Sequence, residues 1–131
     1  MSCSKYGDIY NKPRRTRNTI SEEQVTKNLL ELMERTNYPM VQENGQRTYG
    51  PCPDWNHDLP RPSTSCEVYV SQIPNNCFED VLVPLFASIG KIYTMRLMLD
   101  FKVGHRGFAF VQFTKPEDAS EAIRRLDKFK Y

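Results

Sequence analysis

Apolar positions recur along this chain in two periods, and the switches between them mark its elements. Residues 20–38 carry a helical period. Val25, Leu29, Leu32 and Met33 fall on one face, the spacing of an amphipathic helix. Ser21 followed by Gln24 is a capping-box pair, with Ile20 and Val25 at staple positions. Glu22 and Glu23 sit where the helix dipole favours acids. Asn37 and Pro39 are stop signals. After the helix, Asn44-Gly45 lies between two short flanks. This pair predicts a hairpin, because a type I′ turn needs positive φ at both central residues. A short helix and a two-stranded ribbon are each marginal alone, so both must dock on something larger.

Residues 50–65 hold Pro51, Pro53, Pro60 and Pro62 among polar spacers and read as an extended connector. Trp55 is expected to pin it to a surface. From residue 66 the pattern tightens. Residues 66–73 alternate as a strand. Residues 78–89 read as a helix, with a kink or early break expected at Pro84 and Gly90 as a left-handed terminator. Residues 92–99 form a second strand, 101–105 a loop that includes His105, and 106–113 a third strand. Thr114 with Glu117 caps a last helix carrying Ala119, Ala122, Ile123 and Leu126. The predicted order is β-α-β-β-α.

Composition adds little to this picture, but charge distribution does. The 131 residues are 39% hydrophobic with a net charge of +2. Lys5, Lys12, Arg14, Arg15 and Arg17 stand against Asp8 in residues 1–19, which read as a disordered basic tail. Residues 66–131 are nearly neutral, so bulk charge is a weak case for nucleic acid. No run of eighteen apolar residues is present, so no membrane-spanning helix is expected. The first ten residues do not read as a signal peptide. The four cysteines have no CxxC spacing and are expected to be reduced thiols. Cys52, His57 and Cys66 lack a metal-ligand spacing, and no catalytic constellation stands out. No cofactor, metal or enzymatic activity is therefore expected.

The chemistry lies in the third strand. Arg106-Gly107-Phe108-Ala109-Phe110-Val111-Gln112-Phe113 matches the RNP1 pattern of the RNA recognition motif at every position. Val68-Tyr69-Val70-Ser71-Gln72-Ile73 serves as the RNP2 segment. Side chains alternate faces along a strand. Ala109, Val111 and Phe113 therefore face the helices with Val68 and Val70, while Phe108, Phe110 and Tyr69 share the other face. Three aromatics on an open sheet are costly to expose, and unpaired RNA bases are one cover for them. A protein partner or the N-terminal helix is the other. Arg106 heads the strand, where a phosphate would meet it. The candidate RNA contacts are Tyr69, Arg96, Arg106, Phe108, Phe110 and Gln112.

A more specific resemblance covers residues 29–128. Leu32-Met33-Glu34-Arg35-Thr36-Asn37-Tyr38-Pro39-Met40-Val41-Gln42-Glu43-Asn44-Gly45-Gln46-Arg47 is similar to the stretch ahead of the first RNA recognition motif in one family. That family contains heterogeneous nuclear ribonucleoproteins R and Q, the APOBEC complementation factor and the germ-cell protein Dead end. Phe78-Glu79-Asp80, Val83-Pro84-Leu85-Phe86 and Arg96-Leu97-Met98 match it further on. The resemblance implies an extended motif with the helix and hairpin packed against it. It also implies mRNA binding, often in 3′ untranslated regions, and control of stability, translation or editing with partner proteins, in the cytoplasm, the nucleus or both. Ser71-Gln72 departs from the family's Gly-Lys and removes a cation from the face.

The expected fold is thus α+β. A ferredoxin-like RNA recognition motif at 66–131 lacks its fourth strand and is preceded by a helix and hairpin at 20–49 and a connector at 50–65. With that strand missing, the backbone edge of residues 66–73 is expected to lie open. Either this edge or the helices would then take regulatory protein partners. The expected function is single-stranded RNA binding by a non-enzymatic regulator of mRNA. The rival is a protein-interaction module of the same fold.

Overall fold

A computed structural model describes residues 2–4, 21–56, 58–100 and 104–126. Its elements in chain order are β1 (Ser2–Ser4), α1 (Glu22–Thr36), β2 (Met40–Glu43), β3 (Gln46–Tyr49), β4 (Glu67–Ser71), α2 (Glu79–Ala87), β5 (Ile92–Asp100), β6 (Gly104–Phe113) and α3 (Pro116–Leu126), with a short 3-10 turn at Thr64–Cys66. The strands form one sheet in the order β1-β4-β6-β5-β3-β2. Every neighbouring pair is antiparallel.

Helix α1 begins where its cap predicts. The Ser21 hydroxyl accepts from the Gln24 amide at 3.1 Å. The Gln24 side chain bonds Asn28 instead, so only half of the capping box forms. Asn37 ends the helix in the left-handed conformation, its N–H bonded to the Met33 carbonyl. The hairpin turn is type I′ in character, with φ of 54° at Asn44 and 75° at Gly45; glycine reaches such values without steric cost. The hairpin does not pack against a face of the domain. It joins the sheet edge to edge, β3 pairing with β5 from Gln46↔Met98 to Tyr49↔Met95. Edgewise pairing satisfies a row of backbone groups that a ribbon lying flat on the sheet would leave unpaired.

The core lies between the sheet and the helices. Val68, Val70, Met95, Leu97, Ala109, Val111 and Phe113 meet Leu82, Phe86, Ala119, Ala122 and Leu126, with Leu29 and Leu32 of α1 joining the same cluster. Three contacts fasten the extension. Tyr38 stacks on Tyr49 with centroids 4.5 Å apart, and its hydroxyl donates to the Ile92 carbonyl at 2.6 Å. Asn28 donates to Asp80. Arg47 grips Glu79 through two bonds of 2.6 and 2.7 Å. In the connector, Trp55 meets Tyr93 edge-on at 5.1 Å, and Lys91 pairs with Asp54.

Five expectations change. The edge of β4 is not open along its length: Ser2–Ser4 pairs with it in the register Ser2↔Ser71, Cys3↔Val70 and Ser4↔Tyr69. The disordered reading of residues 1–19 therefore fails for Ser2–Ser4, because an unpaired strand edge is a template for any extended segment. The rest of that tail lies outside the described residues. Helix α2 continues through Pro84 and stops at Ala87, short of Ile89; a proline there has no N–H for the Asp80 carbonyl. Gly90 is not a left-handed terminator. Ser88 is the cap, and glycine at position 90 makes room for the Asp118 side chain of α3, which a Cβ would strike. His105 lies in β6 rather than a loop.

Burial pushes the Tyr38 and Tyr49 phenols above their usual value of 10.0, Tyr38 well above it. A phenol kept neutral in the fold but free to ionise when unfolded stabilises fully below about pH 10 and progressively less above it. The urea midpoint is therefore expected to hold up to about pH 10 and then fall, with a shallower fall in Tyr38→Phe. A midpoint that passes through this range unchanged, while tyrosinate absorbance shows all phenols titrating normally, would contradict it.

Candidate nucleic-acid interface

Strand alternation builds the face on β4, β6 and β5. In β6, Ala109, Val111 and Phe113 are fully buried toward the helices, which turns Arg106, Phe108, Phe110 and Gln112 to the other side. In β4, buried Val68 and Val70 likewise turn Glu67, Tyr69 and Ser71 outward. The register sets Tyr69 opposite Phe110 and Glu67 opposite Gln112. On β5, Arg96 is opposite Phe110.

The three aromatics come together. Tyr69 lies 5.8 Å from Phe108 and 5.3 Å from Phe110, and the two phenylalanines are 6.4 Å apart and nearly perpendicular. They are not equally open. Tyr69 is only 4% exposed, whereas Phe108 and Phe110 are half-buried. The phenylalanines thus present the accessible ring surface, with Tyr69 packed against both. Each phenylalanine also carries a cation. The Arg106 guanidinium lies 5.2 Å from the Phe108 centroid and that of Arg96 4.9 Å from Phe110, within cation–π range.

The remaining candidates divide. Arg96 reaches the face but is paired with Glu67 at 3.4 Å, both side chains about one-third exposed. Gln112 is 5% exposed. Its amide nitrogen donates to the carbonyl of Pro62 at 2.6 Å and lies 3.3 Å from that of Ser63. In this structure Gln112 therefore anchors the connector at one end of the face. His105 lies on the buried side of β6. Its Nδ1 accepts from the Gly107 amide at 3.0 Å, and its Nε2 lies 2.9 Å from the Pro74 carbonyl, which assigns the ring proton to Nε2. It ties the loop after β4 to the start of the RNP1 strand, reinforced by the Ile73 amide donating to the Gly107 carbonyl.

Sequence reasoning missed Glu67, although the signal was present: it stands two residues before Tyr69 and must share its face. No sequence signal marked His105, whose role depends on the distant Pro74 carbonyl. Among the described residues no group of His, Cys, Asp and Glu comes together to hold a metal, and no helix is long and apolar enough to cross a membrane. Cys52 and Cys66 are buried, and burial pushes the Cys52 thiol up.

Residues 68–131 match the RNA recognition motif model. The chain is 51% identical over 102 residues to RNA-binding protein 47 of Danio rerio, covering 78% of this chain and 17% of that protein. It is 52% identical over 103 residues to probable RNA-binding protein 46 of Homo sapiens, covering 78% and 19%. The chain thus spans less than a fifth of these relatives. Among solved structures, RNA recognition domains 1 and 2 of Sex-lethal from Drosophila melanogaster align at 34% identity with a TM-score of 0.47, covering 50% of this chain and 43% of that one.

Proposed function

From the match of residues 68–131 to the RNA recognition motif model, we propose that this chain binds single-stranded RNA on its sheet face. Bases stack on Phe108 and Phe110, with Tyr69 as their support. The observation that carries the reading is the ring cluster itself, two half-exposed phenylalanines each flanked by a guanidinium. Every base has a π-face and every nucleotide a phosphate, and this pairing of ring and cation suits both. Relatives named for RNA binding support it. In the fuller reading, the chain is a non-enzymatic regulator of mRNA stability, translation or processing, acting with protein partners in the cytoplasm, the nucleus or both. It stands beside the family of ribonucleoproteins R and Q, the APOBEC complementation factor and Dead end.

The second reading, a protein-interaction module, draws on Leu30 of α1 and Val81 of α2, which are 60% and 45% exposed. Titration of labelled single-stranded RNA separates the two, because only the RNA reading expects RNA binding that depends on the phenylalanines. Binding by the wild type that is lost in a Phe108→Ala, Phe110→Ala double variant supports RNA. Binding that survives the double substitution refutes the stacking face.

The same titration repeated across salt concentrations tests how the face works. With few cations on it, contact with about two to four phosphates gives a log–log slope of about −1.4 to −2.8 by the single-strand rule. A much steeper slope would move the main binding element to the basic residues Arg14, Arg15 and Arg17.

A further inference from the structure

The two guanidinium–ring pairs on the face differ in one respect. Arg96 is held by a carboxylate, Glu67, at 3.4 Å; among the described residues Arg106 has no such partner. Glu67 is on β4 and Arg96 on β5, the strands flanking β6. Their registers, Glu67↔Gln112 and Arg96↔Phe110, make the ion pair a bar across β6 beside the Phe110 ring. Gln112 has its amide turned to the connector and does not relieve the pair.

We propose that Glu67 is a positioning residue that restrains Arg96 over Phe110 and so limits the affinity of this half of the face. A carboxylate on a surface that meets a polyanion is unfavourable in itself, and here it also occupies the cation that a phosphate would use. A base reaching Phe110 must share the ring with the tethered guanidinium or displace it. At Phe108 the guanidinium of Arg106 can turn to a phosphate without giving up an ion pair. The proposal rests on the RNA reading above and adds an asymmetry to it: Phe108 is the ready stacking site and Phe110 the restrained one.

The test is fluorescence anisotropy of a labelled random-sequence single-stranded RNA oligonucleotide with the full chain. The variants are wild type, Glu67→Gln, Arg96→Ala and the double. Glu67→Gln keeps the side-chain size and is expected to leave the melting temperature nearly unchanged, since partly exposed pairs contribute little. It should bind RNA up to about fivefold tighter at low salt, the range such a pair spans. Its log–log salt slope should steepen by about 0.7, one additional phosphate contact. In the Arg96→Ala background the same substitution should change neither. Equal or weaker binding by Glu67→Gln overturns the restraint. So does a gain that persists without Arg96, which would assign the effect to bulk charge. Wild-type binding that depends on Phe110 but is indifferent to Glu67 removes this inference alone, whereas a wild type that does not bind RNA removes the reading it rests on.

Discussion

Glu79→Ala is expected to cost about 3–5 kcal/mol of stability, the usual result of breaking a buried ion pair by removing one partner. Glu79 is the first residue of α2 and fully buried, and the Arg47 side chain that grips it is only 13% exposed. Both guanidinium–carboxylate bonds are short. The guanidinium also lies 5.8 Å from the Phe78 centroid. Removing the carboxylate leaves a buried cation with no counter-ion. Arg47→Ala leaves the converse, a carboxylate with no exposure to water. Domains of this size have only about 5–15 kcal/mol in total, so either change removes a large share. Because Arg47 sits on β3 and Glu79 on α2, the loss should also loosen the hairpin against α2, while its backbone pairing to β5 holds it in the sheet. Urea unfolding, with NMR of β2 and β3, measures both effects. A cost below about 1 kcal/mol for each single variant would show that the pair behaves like a surface bridge. Replacing both partners with apolar residues of similar volume should cost much less than either single change.

Phe108→Ala and Phe110→Ala are each expected to weaken RNA binding by about 1–3 kcal/mol, roughly fivefold to over a hundredfold. Neither ring belongs to the core cluster, so the fold should persist and the loss should appear in affinity alone. If the restraint at Phe110 operates, Phe108→Ala has the larger effect in the wild type, and the two become more alike in the Glu67→Gln background. Tyr69 behaves differently. At 4% exposure it packs both phenylalanines, so Tyr69→Ala should lower stability as well as affinity, and Tyr69→Phe should leave binding nearly intact. Unchanged affinity in both phenylalanine variants, with the fold preserved, would sink stacking as the mode of recognition.

Much of the site was legible because its determinants are local. Period-two alternation placed Phe108 and Phe110 on the face opposite Ala109, Val111 and Phe113 without knowledge of any neighbour. Gln112 shows where this stops. Alternation placed it correctly on the outer face, but its amide is taken by the carbonyls of Pro62 and Ser63, some fifty residues away. The extension followed the same division. The cap at Ser21, the left-handed Asn37 and the Asn44-Gly45 turn were each readable from a few adjacent residues. That the hairpin joins the sheet through β5 was not, because backbone pairing is blind to sequence distance and leaves little trace in side-chain pattern.

By itself the sequence determined the order of helices and strands from residue 21 onward, the inward and outward faces of β4 and β6, and the meeting of three aromatics on one of them. These follow from helix and strand periodicity, which a chain carries in its own spacing. Tertiary structure alone decided which strands lie side by side. It brought Ser2–Ser4 to the edge of β4 and the hairpin to the edge of β5, paired Arg47 with Glu79, and set Glu67 beside Arg96. Each of these depends on closing a long loop and matching two separate segments in space. Unpaired backbone edges and buried charges set the requirement for such partners, and only the packed chain selects which residues meet it.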